Sequence, residues 1–177
     1  MTTALDRSFM MRHMPEHGES LSALIHALSI LNGYNSETMV LRVWRDRMVE
    51  RGVQDSISLP CREGSFAALS ELTGLSPTTL HSITLHRYTQ VVVSHVQPVE
   101  SVLLNTESFT LLPKKHYSHH FRSDGAAAWC PKCIAEGRLH QLIWQSRFTM
   151  ICLRHDCFLE DRYPACLWLQ DTRIQCV

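Results

Sequence analysis

A chain of 177 residues, 45% of them hydrophobic, is long enough to bury a real core and too apolar to be disordered. Lysine plus arginine and aspartate plus glutamate stand at 17 each. That balance argues against a protein that lives by its own grip on duplex DNA, because phosphate contacts supply much of such affinity.

No run of about 18 apolar residues occurs, so no membrane span is expected. The first twenty residues, Met1 to Ser20, contain neither a continuous apolar stretch nor a small-residue cleavage site, so no signal peptide is read and a cytoplasmic location is expected. Six of the seven cysteines lie in the last third of the chain. In a reducing compartment clustered thiols suit a metal better than a disulfide framework. The expectation is a mainly α protein with a small zinc-binding α+β module: a helical N-terminal domain over residues 1–113 and a zinc-finger domain of ribbon or knuckle type over 114–177.

From the N-terminus, Glu19-Ser20-Leu21 opens a helical pattern. Leu21, Leu24, Ile25, Leu28 and Leu31 recur at the spacing of one buried helical face. Asn32-Gly33 supplies the stop, since glycine tolerates the left-handed conformation that ends helices. Asn35 or Ser36 then caps a second helix that turns Val40, Val43, Trp44 and Met48 to the core. Residues 51–64 read as a loop. Cys61 within it has no nearby metal partner and reads as a free thiol.

The stretch from Ser65 to Leu85 has the pattern of a helix-turn-helix. Phe66 to Thr73 forms one helix, Gly74 takes the tight turn, Ser76 caps, Pro77 sits where its missing N–H is harmless, and Thr78 to Leu85 forms the second helix. Leu69, Leu72, Leu75, Leu80 and Ile83 would fill the angle between them. One reading sets Thr78, Thr79, His81 and Ser82 against a DNA groove. The other makes the unit a packing or protein-contact element, and it is favoured because Ser76 to Leu85 contains no lysine or arginine.

Beyond it, Val91-Val92-Val93 and the pairs Leu103/Leu104 and Leu111/Leu112 suggest short strands or extended packing, with Pro98 and Pro113 as breakers. Lys114 to Arg122 is a basic, aromatic connector that also carries His116, His119 and His120. Within it Lys114, Lys115 and Arg122 are candidate contacts to a nucleic acid or a partner, although a solvated linker face explains such runs as well.

Cys130-Pro131-Lys132-Cys133 is a C-x-x-C, and Cys152-Leu153-Arg154-His155 is a C-x-x-H roughly twenty residues later, the separation of a zinc site. A two-residue gap lets both ligands of a knuckle turn toward one ion, and Zn²⁺ takes four tetrahedral ligands of this kind. A redox C-x-x-C would need a βαβ context, which the preceding residues lack. A catalytic zinc would keep a position open and need a nearby acid or base, for which Glu136 is the one adjacent carboxylate. Four protein ligands instead predict a structural Zn²⁺. Cys157, Cys166 and Cys176 remain as half of a second site, with a histidine such as His140 to complete it, or as small buried hydrophobes. Trp129, Trp144, Phe148 and Trp168 read as the small core of the metal domain. Arg138, Arg147 and Arg154 join the candidate contacts.

The run Trp129 to Glu136, then Leu139 to Gln145, Ile151 to His155, Leu159 to Arg162 and Pro164-Ala165-Cys166 resembles the zinc-finger region of the TniQ family, which includes the longer TnsD proteins. Pro15 and Glu19-Ser20-Leu21 leading to Asn32-Gly33 look like the family's opening helix, and the helix-turn-helix pattern matches its N-terminal domain. The resemblance implies a non-enzymatic targeting adaptor of transposition. Such a protein marks the insertion site and helps recruit an AAA+ ATPase regulator that engages the transposase. Long members bind DNA themselves. Short ones work beside a guide-RNA CRISPR effector, some as homodimers, and the neutral charge fits them better. The sequence departs from the family where a second C-P-x-C finger would open, since Tyr163 stands in the first cysteine's place. The alternative function is an autonomous zinc-finger and helix-turn-helix protein that reads an insertion site or promoter. A zinc enzyme acting on nucleic acid ranks third.

Overall fold

The computed structural model describes residues 9–54, 63–89, 101–104, 107–110, 120–122 and 128–161. Its first helix, α1 (Leu21–Leu31), starts at Ser20, whose hydroxyl accepts the Ala23 N–H at 3.1 Å. A side-chain acceptor there satisfies one of the amides that the first turn leaves without a partner. Leu21, Leu24, Ile25 and Leu28 are buried as the spacing predicts, but Leu31 is 41% exposed. It is the last residue of the helix, beside the Asn32–Gly33 turn where Gly33 takes φ +67°. Periodicity assigns a face, but it does not say where the packing partner ends.

The second helix, α2 (Glu37–Glu50), buries Val40, Trp44 and Met48, with Val43 partly covered. Ser36 occupies its N-cap with extended backbone but makes no side-chain cap bond; Glu37 in the first turn instead meets the positive end of the helix dipole. Trp44 is wholly buried and donates its indole N–H to the Ser65 carbonyl at 3.3 Å.

Helix α3 (Glu63–Thr73) begins inside the stretch read as a loop, and α4 (Pro77–Ser82) follows across Gly74, φ +71°. The Ser76 hydroxyl accepts the Thr79 N–H at 3.1 Å, and Pro77 opens the helix. Leu69, Leu72, Leu75, Leu80 and Ile83 close the same core as Leu24, Trp44 and Phe66. Helix α4 has only six residues, less than two turns, and gives way to a 3-10 helix at Leu85–Tyr88 instead of continuing to Leu85.

A hairpin of β1 (Ser101–Leu104) and β2 (Glu107–Thr110) pairs antiparallel, with Ser101 opposite Thr110 and Leu104 opposite Glu107, and β1 lies against α3. Leu103 and Leu104 are thus in a strand. Cys61, Val91 to Val93, Leu111 and Leu112 lie outside the described residues.

The C-terminal module contains α5 (Pro131–Ala135), a 3-10 helix at Leu142–Gln145, and a two-rung hairpin of β3 (Ile151–Cys152) and β4 (Cys157–Phe158). Reciprocal bonds of 2.8 Å between the Trp129 and Glu160 backbones close it. Trp129 and Trp144 are buried among its cysteines. Phe148, read as part of that core, is 75% exposed and turns toward His120, with ring centroids 5.9 Å apart. Trp168 lies outside the described residues.

The module is stitched to α1. The Leu142 N–H donates to the Gly18 carbonyl at 2.7 Å, and the Ser20 N–H donates to the His140 carbonyl at 3.0 Å. Among the described residues no helix is long and apolar enough to cross a membrane.

Candidate metal centre

The first ligand pair is built into a helix start. Cys130 is the N-cap of α5, Pro131 takes the first helical position, and the Cys133 N–H points at the Cys130 sulfur at 3.4 Å. A Cys-Pro-x-Cys sequence therefore aims a backbone donor at one thiol while it brings the second to the same side. The second pair stands at the hairpin. The Asp156 N–H returns to the Cys152 carbonyl at 2.9 Å, and Asp156 holds the left-handed φ of 46° that turns the chain. Aspartate is one of the few non-glycine residues that visit this region readily.

The sulfurs of Cys130, Cys133 and Cys152 and a ring nitrogen of His155 lie within 4.8 Å of one another. His155 Nδ1 is 3.4 Å from Cys130 Sγ, 3.3 Å from Cys133 Sγ and 3.7 Å from Cys152 Sγ, and the Cys133 and Cys152 sulfurs are 3.7 Å apart. Bond lengths of about 2.3 Å to sulfur and 2.0 Å to nitrogen make the edges of a zinc tetrahedron about 3.5–3.8 Å. The residues fit the ion. The three cysteines are buried and His155 is largely so.

The donor set also suits a cation on electrostatic grounds. Burial opposes ionisation of Cys130, but the Cys133 N–H and the neighbouring thiols Cys152, Cys157 and Cys133 outweigh it and hold this thiol below its ordinary value. Burial pushes Cys133 up to about 12, and the facing Cys152 and Cys130 add to the shift. Three thiolates in one buried pocket repel one another, whereas a divalent ion between them converts that repulsion into ligation.

Cys157, assigned from sequence to a possible second site, stands at the edge of this one. It is the cross-strand partner of Cys152, and its sulfur is 3.6 Å from that of Cys130. Directly opposed residues of an antiparallel pair share a face, so the hairpin register accounts for its position. Cys166 and Cys176 lie outside the described residues. His140 has both ring nitrogens engaged elsewhere, with Nδ1 3.0 Å from the Ser20 hydroxyl and Nε2 3.2 Å from the Ala128 carbonyl. A carbonyl only accepts, so Nε2 carries the proton and Nδ1 accepts from Ser20. Burial drives the His140 pKa down to about 4, against a smaller opposing effect of the Ala128 carbonyl.

The proposed contact residues divide. Arg138 and Arg154 both face Glu136, at 3.7 and 3.3 Å. Arg147 donates from Nε to the Phe121 carbonyl at 2.9 Å, and the Arg122 N–H donates to the Gln145 carbonyl at 2.7 Å. Lys114 and Lys115 lie outside the described residues, as do His116 and His119. Glu136, weighed from sequence as an acid or base, meets the outer nitrogen of His155, with Oε1 2.9 Å from Nε2. Sequence reasoning missed this pairing and the Ser20–His140 contact. The first carried a local signal, a carboxylate three residues after the second cysteine. The second, between residues 120 positions apart, carried none.

The family model described as TniQ matches residues 10–159, which span both the helical part and the metal centre. No curated protein matches the chain.

Proposed function

The chain belongs to the TniQ family, whose members are associated with transposition, and on that premise we propose that it is a non-enzymatic targeting adaptor. It links target-site recognition machinery, such as a guide-RNA CRISPR effector, to an AAA+ transposition regulator. Zn²⁺ is the ion that three thiols and one imidazole suit. Held by Cys130, Cys133, Cys152 and His155, it supplies a cross-link between the two knuckles. Four protein donors leave no position for substrate, which supports a structural role.

The observation that carries the adaptor reading is the charge distribution. Formal net charge is +0, and three of the arginines nominated for contact are bonded within the chain: Arg138 and Arg154 to Glu136, Arg147 to a backbone carbonyl. Duplex binding driven by counterion release needs a surplus of cations facing outward. In this reading residues 1–113 and 114–177 are the two domains. The helix-turn-helix proposed for residues 65–85 falls on α3 and α4, whose second helix has only six residues, and in this reading it serves packing and protein contact. Arg122, Lys114 and Lys115 are the candidate contacts to a partner or to the DNA that the assembled complex holds.

The test is a pull-down with mass photometry of the purified chain and its AAA+ regulator, with and without DNA and nucleotide. A nucleotide-dependent complex with negligible duplex binding by the chain alone is expected, and the same masses show whether the chain is a homodimer. Tight, salt-sensitive duplex binding without the ATPase would overturn the adaptor reading in favour of an autonomous DNA-reader.

A further inference from the structure

Of the four clustered donors His155 alone offers a nitrogen, and its imidazole is held from both sides. Nδ1 faces the three sulfurs at 3.3–3.7 Å. On the far side Nε2 meets Glu136 Oε1 at 2.9 Å. A carboxylate accepts, so Nε2–H donates and Nδ1 is left with the lone pair that a metal needs. The carboxylate itself is well placed. Glu136 is the C-cap residue of α5, its N–H bonded to the Lys132 carbonyl at 3.0 Å, so the helix that carries Cys130 and Cys133 also sets its position. Its other oxygen faces Arg154 Nε at 3.3 Å and Arg138 Nε at 3.7 Å. One side chain therefore ties the first knuckle to the residue pair Arg154–His155 of the second.

We propose that Glu136 is a positioning residue of the metal centre, fixing the tautomer and ring orientation of His155 and locking the two ligand pairs together. The proposal rests on the reading that the four donors hold Zn²⁺. Charge-assisted bonds to the outer nitrogen of a ligating histidine raise its basicity and hold its ring, and losing such a partner costs about 10- to 100-fold in metal affinity.

The test uses the full chain loaded with Zn²⁺, in competition with a chromophoric chelator, beside proton–nitrogen correlation spectra of the His155 ring. The E136A variant is expected to bind Zn²⁺ about 10- to 100-fold more weakly and to lose the fixed Nδ1-bound, Nε2-protonated signature. E136Q, whose amide oxygen still accepts from Nε2, should recover most of both. R138A and R154A, which break the ion pairs but leave the carboxylate on the ring, should stay near wild type; a loss in them equal to that of E136A would reassign Glu136 to plain salt bridging. Should E136A fail to fold, E136Q decides: near-wild-type affinity and ring signals support the hydrogen-bond role, and a loss of about 10- to 100-fold in E136Q would sink it. Unchanged affinity and unchanged ring signals in E136A would overturn the proposal while leaving the zinc reading intact. A wild-type chain that takes up no zinc would sink both.

Discussion

The two halves of this molecule are held together by different physics. The helical part excludes water with a continuous apolar core in which Leu24, Leu28, Trp44, Phe66, Leu72 and Leu80 are fully buried. Among the described residues the C-terminal module's own cluster of buried side chains is Trp129, Trp144 and three cysteines, and Phe148, Met150, Leu153 and Phe158 are more than half exposed. A unit that small is hard to stabilise by burial alone, and on the proposed zinc reading ligation supplies what burial does not. On the proposed zinc reading, fold and metal are expected to be separable in the first half and inseparable in the second.

Metal removal should show this most strongly. Structural zinc contributes apparent folding free energies of about 10–16 kcal/mol in zinc-finger peptides at neutral pH. Stripping the ion with a chelator should therefore abolish amide protection across residues 128–161, while α1 to α4 keep theirs. Hydrogen exchange read by mass spectrometry checks it. Equal loss of protection in both halves would mean that the helical core depends on the metal too. The Trp44→Ala variant is the converse test. Emptying a site of 0% exposure at the centre of the helical core should cost about 3–5 kcal/mol. Its chemical denaturation midpoint should fall accordingly, with zinc stoichiometry by native mass spectrometry unchanged wherever the chain remains folded.

What could be read from sequence follows the same division. Spacing found the core of the helical part almost residue for residue, because Leu21 to Leu28 and Leu69 to Ile83 carry the period of the face they bury. It failed at Leu31 and Phe148, where apolar character says nothing about whether a partner is present. The cluster of Cys130, Cys133, Cys152 and His155, which could hold a metal, was legible because knuckle spacing is local chemistry. Cys157 was legible as a cysteine but not as a neighbour of Cys130, since only the β3–β4 register brings it there. The Ser20–His140 junction depends on how the module docks against α1, and tertiary placement of that kind leaves no mark on composition or period.

That junction gives the next prediction. His140 must stay neutral, because its Nδ1 accepts from the Ser20 hydroxyl and protonation would set an N–H where a lone pair is needed. Its folded pKa lies near 4 against an ordinary 6.5. Between those values the unfolded chain binds the extra proton, so stability is whole above about pH 6.5 and falls as the pH drops toward 4. The residue as a whole is partly exposed, which holds the loss to on the order of 2 kcal/mol. Measured on metal-loaded protein, the gap between wild type and H140Q should narrow with acidification. A gap constant from pH 7 to pH 4.5 would show that the docking contact does not sense protonation.

The smallest effect has the opposite sign and belongs to the helical half. His26 of α1 meets Glu37, in the first turn of α2, with Nδ1 2.9 Å from the carboxylate. The hydrogen bond to Glu37 raises the His26 pKa, burial opposes it, and the charge of Glu37 adds to the rise. A histidine whose folded pKa is raised contributes stability that is complete below its unfolded value and disappears as the pH rises through the folded one. The His26 side chain is 37% exposed, so solvent screens the pair and the contribution is only about 0.5 kcal/mol. H26Q should therefore be less stable than wild type at pH 6 and indistinguishable from it at pH 8, in urea melts of protein with its metal bound. Acid then tightens the α1–α2 contact while it loosens the seam between α1 and the metal module. If H26Q and H140Q shifted in the same direction with pH, the two histidines would be answering a common global titration, and the separation of the molecule into an apolar half and a ligand-held half would lose its electrostatic support.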